Sequence, residues 1–218
     1  MVGHRSQSHD SPKTEAIVYV VDDDPSIREM LASLLRSVGL RVALCGSASE
    51  LLQNKLPDVP SCLVLDVRLP GLGGLDLQAE LARANIRTPI IFLTGYADIP
   101  MSVRAMKGGA VDFLTKPFRD QDLLDAVSTA IDRDQKRRQY DKYVADLRTR
   151  FDSLTAKEQQ VMTLATAGLM NKQTAGEMGL SEFTVKIHRS NMMKKMGARS
   201  LADLVKMAEK LGLGPAKQ

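Results

Sequence analysis

The segment 61–71, SCLVLDVRLPG, constrains the fold of this 218-residue chain more than any other stretch. An unbroken apolar run leads into Asp66, and a Leu-Pro-Gly turn follows shortly after. Such a run, bounded by a turn, predicts a strand that is buried on both faces, as in a parallel sheet. Because open α/β sheets place their sites outside the carboxyl ends of the strands, Asp66 is a candidate site residue. A single Asp that caps the next turn is the ordinary alternative.

Four more segments of the first half have the composition of short strands, and helical patterns separate them. The predicted strands are 16–21, 41–45, 62–66, 89–94 and 111–115. The predicted helices are 25–38, 48–56, 75–84, 99–107 and one from 118 onward. Five strands that alternate with five helices predict an open, mostly parallel, doubly wound α/β sheet.

Polar side chains stand at the ends of four of these strands, namely Asp22, Asp23, Asp66, Thr94 and Lys116. Carboxylates that converge at one sheet edge repel each other unless a cation joins them, and oxygen ligands without His or Cys favour a hard ion such as Mg²⁺. Two acids can hold a metal and a third can act as a nucleophile, while the lysine and the threonine hold an anion. The pattern predicts phosphoryl transfer, although each residue alone could be a cap or turn residue.

Four motifs, VDDDPS, LDVRLPG, IIFLTG and DFLTKPF, occur in this order and resemble the signatures of response-regulator receiver domains over residues 16–131. The resemblance implies a flavodoxin-like five-stranded fold, Mg²⁺ as cofactor and Asp66 as phosphoacceptor. It implies that Asp23, Asp66 and the carbonyl of Arg68 bind Mg²⁺ directly, and that Asp22 binds it through water. The phosphoryl donor would be a sensor histidine kinase.

The same resemblance assigns three further residues of the receiver. Thr94 would hydrogen-bond a phosphoryl oxygen, and Lys116 would pair with the phosphoryl group. Phe113 matches an aromatic switch residue that turns inward on activation. The bond between Lys116 and Pro117 would be cis, as is usual in the family.

Charge is distributed unevenly along the chain. Residues 16–131 hold 11 basic and 14 acidic side chains, whereas residues 152–218 hold 10 basic and 6 acidic ones. An acidic first half and a basic second half predict two domains with different partners. Segment 1–15 is polar, lacks a secretory signal and is expected to be a disordered tail.

We expect a cytoplasmic protein from two features of the sequence. Cys45 and Cys62 lie in apolar runs and are predicted to be reduced core residues rather than a disulfide or a metal site. No stretch approaches about 18 uninterrupted apolar residues, so no membrane span is expected.

Residues 132–151 form a charged segment that we predict to be a helical linker. Apolar residues keep helical spacing through it, at Tyr140, Tyr143, Val144, Leu147 and Phe151. A mobile charged tether is the alternative. The basic cluster 136–138 is interpreted as a solvated face, with a contact to DNA phosphate as the alternative.

The last segment, 152–218, is predicted to be an all-α domain of four helices. Thr155 with Glu158 predicts a capping box, and the third helix, 182–196, has a basic face. Its candidates for the buried side are Phe183, Val185, Met192 and Met196. A basic face on the second helix of a helix-turn-helix is typical of a helix that reads the major groove, and a small bundle with a solvated basic face is the alternative.

The stretch TVKIHRSN and the sequence around it resemble a LuxR-type helix-turn-helix DNA-binding domain over residues 152–212. The resemblance implies base contacts from Lys186, Ile187 and Ser190. It implies contacts to the DNA backbone from Asn171, Lys172, Thr184, His188, Arg189 and Lys194. Thr174 departs from the family, which usually has an apolar residue there.

Together the two halves resemble FixJ-type response regulators. The resemblance implies a phosphorylation-activated, promoter-binding transcription factor that is a homodimer when phosphorylated and acts on RNA polymerase, and not an enzyme apart from the reactions of its own phosphoryl group. A haloacid-dehalogenase-like phosphatase is disfavoured because it needs a second Asp where this chain has Arg68. A regulator whose receiver is only a phosphorylation-independent dimer scaffold is disfavoured by the complete set of strand-end residues.

Overall fold

The structure is a computed structural model, and it describes residues 16–54, 57–96 and 98–213. The tail predicted at 1–15 and the end of the helix predicted at 48–56 lie outside the described residues. Internal contacts divide the chain into two compact units, one that ends at Arg138 and one that begins at Gln139.

A five-stranded parallel sheet with the order β2-β1-β3-β4-β5 forms the centre of the first unit. Its strands are β1 Ile17–Val21, β2 Arg41–Cys45, β3 Ser61–Asp66, β4 Ile90–Thr94 and β5 Asp112–Thr115. The strands β1, β3 and β4 are buried along their whole length, as expected for strands with helices on both faces. The prediction of a doubly wound α/β sheet is confirmed, with every strand pair parallel.

Helices cover both faces of this sheet. They are α1 Pro25–Ser37, α2 Ala48–Gln53, α3 Gly74–Arg83, α4 Ile99–Lys107 and the first part of α5 Asp120–Asp152. Successive residues of a strand point to opposite faces, so β1 contributes Tyr19 to one core and Val20 to the other. The core under α2, α3 and α4 includes Leu77, and the core under α1 and α5 includes Leu35 and Val127.

The strand order reverses at β1, which has β2 on one side and β3 on the other. Because connections leave the two sides of this point in opposite directions, a crevice opens beyond the carboxyl ends of β1 and β3. Gly74, the first residue of α3, lies against the end of β3. A Cβ atom there would collide with the carbonyl oxygen of Asp66, so the close approach of α3 requires glycine.

A buried carboxylate attaches α5 to the start of β3. Asp134 is fully buried, and its Oδ2 accepts the backbone N–H of Ser61 at 3.0 Å. Arg137 Nη2 donates to Asp134 Oδ1 at 2.6 Å, Arg138 Nε donates to Oδ2 at 2.6 Å, and Arg138 also binds Asp58. The interpretation of the cluster 136–138 as a solvated face is therefore wrong for its two arginines, because a buried carboxylate needs cationic partners.

The helix α5 continues through the predicted linker, and its last turns belong to the second unit. The other helices of that unit are α6 Ala156–Thr166, α7 Asn171–Met178, α8 Glu182–Met196 and α9 Leu201–Lys210. Their core includes Leu147 of α5, Met162 of α6 and Met192 of α8. The capping box predicted from Thr155 and Glu158 is present at the start of α6. The prediction of an all-α second domain is confirmed.

One prediction of burial differs from the structure, and another is confirmed. Phe183, a candidate for the buried side of α8, is 73% exposed. It lies two residues from the fully buried Val185, and residues at that spacing do not share a helix face. Cys45 and Cys62 are buried and free, as predicted. Among the described residues, no helix has the length and apolar character needed to cross a membrane.

Candidate functional site

The predicted strand-end residues meet at the crevice beyond β1 and β3. Asp22 follows β1, Asp66 ends β3 and Lys116 follows β5. Lys116 Nζ donates to Asp22 Oδ2 at 2.6 Å and to Asp66 Oδ1 at 2.9 Å. The side chains of Asp22 and Asp66 are 3% and 9% exposed, so one ammonium group joins two buried carboxylates.

Backbone groups hold the remaining oxygens of these carboxylates. The N–H of Asp24 donates to Asp22 Oδ1 at 2.9 Å, and the N–H of Arg68 donates to Asp66 Oδ2 at 2.7 Å. Arg28 donates from Nη1 to the carbonyl oxygens of Asp22 and Asp23, at 2.7 and 3.0 Å. Arg28, a residue of α1, therefore holds the acidic loop after β1 in place. Asp23 itself is exposed.

The Thr94 hydroxyl is hydrogen-bonded within its own loop. It donates to the carbonyl oxygen of Tyr96 at 3.0 Å and accepts the Tyr96 N–H at 3.2 Å. The exposed Tyr96 ring lies 5.1 Å from the guanidinium carbon of Arg68, within the range of a cation–π contact. Thr94 thus stands at the predicted edge, and its hydroxyl hydrogen bonds go to Tyr96.

Phe113 of β5 lies half-buried against the core under α2, α3 and α4. Its ring centroid is 6.3 Å from that of Phe92, and the two rings are tilted by 47°. The carbonyl oxygen of Thr94 accepts the backbone N–H of Lys116 at 2.7 Å, which holds the ends of β4 and β5 side by side. The peptide bond between Lys116 and Pro117 is cis.

Burial governs the charges at this site. It raises the pKa of Asp66 above its ordinary value, although the hydrogen bond and charge of Lys116 and the N–H of Arg68 act in the opposite direction. Burial would lower the pKa of Lys116, but the hydrogen bonds to Asp22 and Asp66 outweigh it, and the pKa is raised. Lys116 is therefore a permanent cation beside a carboxylate of increased basicity.

The residue types expected to hold a metal at the crevice are those that suit a hard divalent cation. They are the carboxylates of Asp22, Asp23 and Asp66 and the carbonyl of Arg68, and neither His nor Cys is among them. Within the described ranges, no three acidic, His or Cys side chains are close enough to form a metal site by themselves. A cation here would need backbone and water oxygens as well, which is how Mg²⁺ is commonly held.

A second candidate surface lies on α7 and α8. Val185, Met192 and Met196 face the core, and the opposite side of α8 exposes Lys186, Ile187, Ser190 and Lys194. Lys186 Nζ lies 3.1 Å from Glu182 Oε1 in an exposed ion pair. Such a pair contributes little to stability, so the lysine can exchange this partner for another acceptor.

Other predicted DNA-contact residues of this unit already have hydrogen-bond partners. Arg189 Nη1 donates to Asn171 Oδ1 at 2.9 Å, and the Thr184 hydroxyl lies 2.8 Å from Ser181 Oγ at the start of α8. Lys172 is exposed and His188 is half-buried. Thr174 is buried, and so fills the place of the usual apolar residue.

Comparison with protein families identifies two domains in the chain. The model of the response regulator receiver domain matches residues 18–128, just over half of the chain, and that of the bacterial regulatory proteins of the luxR family matches residues 152–208. The chain belongs to the response-regulator family. This response regulator combines a receiver with a LuxR-type DNA-binding domain and is a transcription factor of a two-component system.

Relatives cover nearly the whole response regulator. Nodulation protein W of Bradyrhizobium diazoefficiens is 63% identical over 205 residues, which make up 94% of this chain and 90% of the relative. The structure of the response regulator StyR matches with a TM-score of 0.80 and 49% identity, over 90% of this chain and 99% of StyR. Full-length FixJ from B. japonicum matches with a TM-score of 0.55 and 38% identity, over 93% and 100%.

Sequence reasoning gave no role to several residues that shape the site. Asp24 caps α1, where its Oδ1 accepts the N–H of Ser26 at 2.8 Å, and an Asp directly before Pro-Ser is a recognisable helix start. Arg28 and Tyr96 carried no comparable signal, because their partners are backbone groups or side chains that only the folded chain brings near.

Proposed function

We propose that phosphorylation of Asp66 switches this response regulator between two states and so controls promoter binding in the cytoplasm. The observation that carries the proposal is the position of Lys116, whose ammonium group joins Asp22 and Asp66 at the switch point of the sheet. A carboxylate of raised pKa beside a fixed positive charge is suited to attack a phosphoryl group and to hold the product.

In the proposed reaction, an oxygen of Asp66 attacks the phosphorus atom of a phosphohistidine on the sensor kinase. The O–P bond forms while the P–N bond breaks, and the imidazole leaves with the electron pair and takes up a proton. The receiver supplies the catalytic groups for this transfer and for later hydrolysis of the acyl phosphate. Lys116 stays beside the Asp66 side chain and pairs with the phosphoryl oxygens.

The proposed Mg²⁺ ligands are Asp23, Asp66 and the carbonyl of Arg68, with Asp22 bound through water. When bound, Mg²⁺ would neutralise negative charge on the phosphoryl oxygens. Asp23 is exposed and open to a cation from solvent, whereas the carboxylate oxygens of the buried Asp22 already accept hydrogen bonds from Lys116 and the N–H of Asp24, which supports this division.

The switch proposed for the receiver begins at Thr94. Its hydroxyl gives up the carbonyl oxygen of Tyr96 and donates to a phosphoryl oxygen, and Phe113 then turns further inward. Both changes alter the surface formed by α4 and β5, where Ile99 is 80% and Val103 is 44% exposed. Met101 of α4 packs half-buried against the core instead. We propose that two phosphorylated chains associate through this surface.

The output proposed for the second unit is sequence-specific binding of double-stranded promoter DNA, followed by contact with RNA polymerase. Lys186, Ile187 and Ser190 would contact bases. The DNA backbone would be contacted by Asn171, Lys172, Thr184, His188, Arg189 and Lys194. A two-fold dimer would match paired half-sites about one helical turn apart.

Incubation with a small phosphodonor and Mg²⁺ tests the proposal. We expect the full chain to gain one phosphoryl group at Asp66, identified by mass spectrometry after borohydride trapping. Asp66→Asn should not be labelled, because an amide is a far weaker nucleophile than a carboxylate. Asp132→Asn, an exposed change on α5, is the matched control and should be labelled like the wild type. Undiminished labelling of Asp66→Asn would reject Asp66 as phosphoacceptor.

A further inference from the structure

The most exposed large apolar side chain of α8 is Phe183, in the first turn of that helix. Its exposed fraction of 73% means that the unit itself does not bury the ring. Burial of an aromatic ring stabilises a fold, so this position lacks a contribution to stability that an inward-facing phenylalanine would make. A single exposed apolar residue is common, so the residues that share its helix face decide whether Phe183 is a candidate for contact with a partner.

Phe183 shares a helix face with the residues proposed to contact bases. Ile187 is four positions further on, Ser190 seven and Lys194 eleven, which is the spacing of one stripe along an α-helix. The buried stripe of Val185 and Met196 lies on the other side of the helix. Phe183 therefore extends the outward stripe by one turn toward the start of α8.

We propose that Phe183 is a specificity-determining residue that contacts the 5-methyl group of a thymine in the major groove. The inference rests on the proposed DNA-binding function and adds a base-reading residue to it. An aromatic ring makes an apolar contact with the thymine methyl group, the one apolar feature of the major-groove edges. With Ile187, which is 46% exposed, Phe183 forms an apolar strip at the start of α8.

Position and charge both favour DNA as the occupant of this strip. The first residues of a recognition helix are those that reach the base edges, and Phe183 is the second residue of α8. Exposed Lys172, Lys186 and Lys194 provide cations on α7 and α8 that suit the phosphate backbone. An apolar strip among exposed lysines is suited to a groove lined by phosphates.

A double-mutant cycle, in which residue 183 and the thymine methyl groups of the DNA are varied together, tests the contact. Full-length protein, with Mg²⁺ and beryllofluoride, first selects its preferred duplexes from a random pool. Each thymine of the selected sequence is then replaced singly by uracil, which lacks the methyl group and keeps the same hydrogen-bonding edge. We expect one position at which this replacement weakens wild-type binding about fourfold, which corresponds to about 0.8 kcal/mol for one buried methyl group. Phe183→Ala should lose the same factor and then be insensitive to uracil at that position.

Two further variants make the result specific. Phe183→Leu keeps an apolar side chain and should retain part of the preference for thymine over uracil. Met30→Ala removes an exposed apolar side chain from α1 and should behave as the wild type at every position. The inference is overturned if Phe183→Ala remains as sensitive to each thymine methyl as the wild type, or weakens all sequences equally. If the wild type selects no sequence, the proposed DNA-binding function fails together with the inference. If the wild type selects a sequence and Phe183→Ala behaves like it, only the inference about Phe183 fails.

Discussion

Asp134 and Ser61 are far apart in the sequence, yet the buried Asp134 carboxylate accepts the Ser61 backbone N–H at 3.0 Å. This contact holds the first residue of β3, and Asp66 is the last residue of the same strand. The helix α5 is thereby attached to the strand that carries the candidate phosphoacceptor. This hydrogen bond therefore anchors the edge of the sheet that lies opposite the crevice.

Asp134→Asn should destabilise the first unit. The amide can still accept the Ser61 N–H, but it leaves Arg137 and Arg138 without their shared carboxylate. Removal of one partner from a buried ion pair costs about 3 kcal/mol or more, and we expect a loss near the lower end. Urea unfolding combined with amide exchange of β3 measures it. Asp132→Asn, an exposed change on the same helix, should remain within about 0.5 kcal/mol of the wild type, and equal stability of the two variants would contradict the anchor role.

The raised pKa of Asp66 predicts how the stability of Asp66→Asn depends on pH. The folded state binds the Asp66 proton more tightly than the unfolded state, whose carboxyl has a pKa near 3.8. The stability of the wild type therefore falls as pH rises from that value through the raised folded pKa. Asp66→Asn lacks this loss, so it should be the more stable protein at neutral pH and lose its advantage in acid. The gain is about 1.4 kcal/mol for each pKa unit between the folded and unfolded carboxyl.

Urea titrations of both proteins between pH 3 and pH 7 would measure this difference, a range chosen to span about three pKa units above the ordinary carboxyl value. Asp132→Asn serves again as the control for loss of one negative charge. A stability difference that does not change with pH would show that burial of the Asp66 charge is not its cause.

Two lysines of α8 should differ in their effect on DNA binding. Lys186→Ala should weaken specific binding by about 1–3 kcal/mol and relax the preference at one base pair, because a good bidentate base contact has that value. Lys194→Ala should weaken binding to all sequences alike and reduce the salt slope by about one. Titrations on selected and random duplexes at several salt concentrations distinguish the two. Identical behaviour of both variants on both duplexes would mean that α8 is not the recognition helix.

Phosphorylation should change the oligomeric state. We expect a monomer without phosphodonor and a dimer with beryllofluoride and Mg²⁺, measured by sedimentation. To shift a population from 99:1 to 1:99, the phosphoryl group must favour the active state by roughly 5.5 kcal/mol. Ile99→Glu should prevent the dimer while Asp66 is still labelled, because it places a charge on the most exposed apolar residue of α4. A monomer under all conditions would favour release of a blocked DNA-binding domain instead.

The fold and much of the candidate site could be predicted from local sequence. Apolar runs of strand length specified β1, β3 and β4, and the residue after each run could be assigned to the carboxyl edge without coordinates. Parallel strands bring those ends together whatever the details of packing, so Asp22, Asp66 and Lys116 could be placed near one another. Motif resemblance then supplied their proposed roles.

What the sequence could not determine depends on partners that are distant along the chain. Phe183 and Val185 were both candidates for the buried side of α8, and the structure buries Val185 and exposes Phe183, because residues two positions apart do not share a helix face. In the sequence, Asp134 cannot be distinguished from the other acidic residues of a charged helix, and only the folded chain shows its contact with Ser61. The sequence by itself determined the alternation of strands and helices and which side chains end the strands, because these follow from local periodicity. Tertiary structure alone decided which charged and aromatic side chains are buried, because burial depends on contacts between segments that the chain's local pattern does not encode.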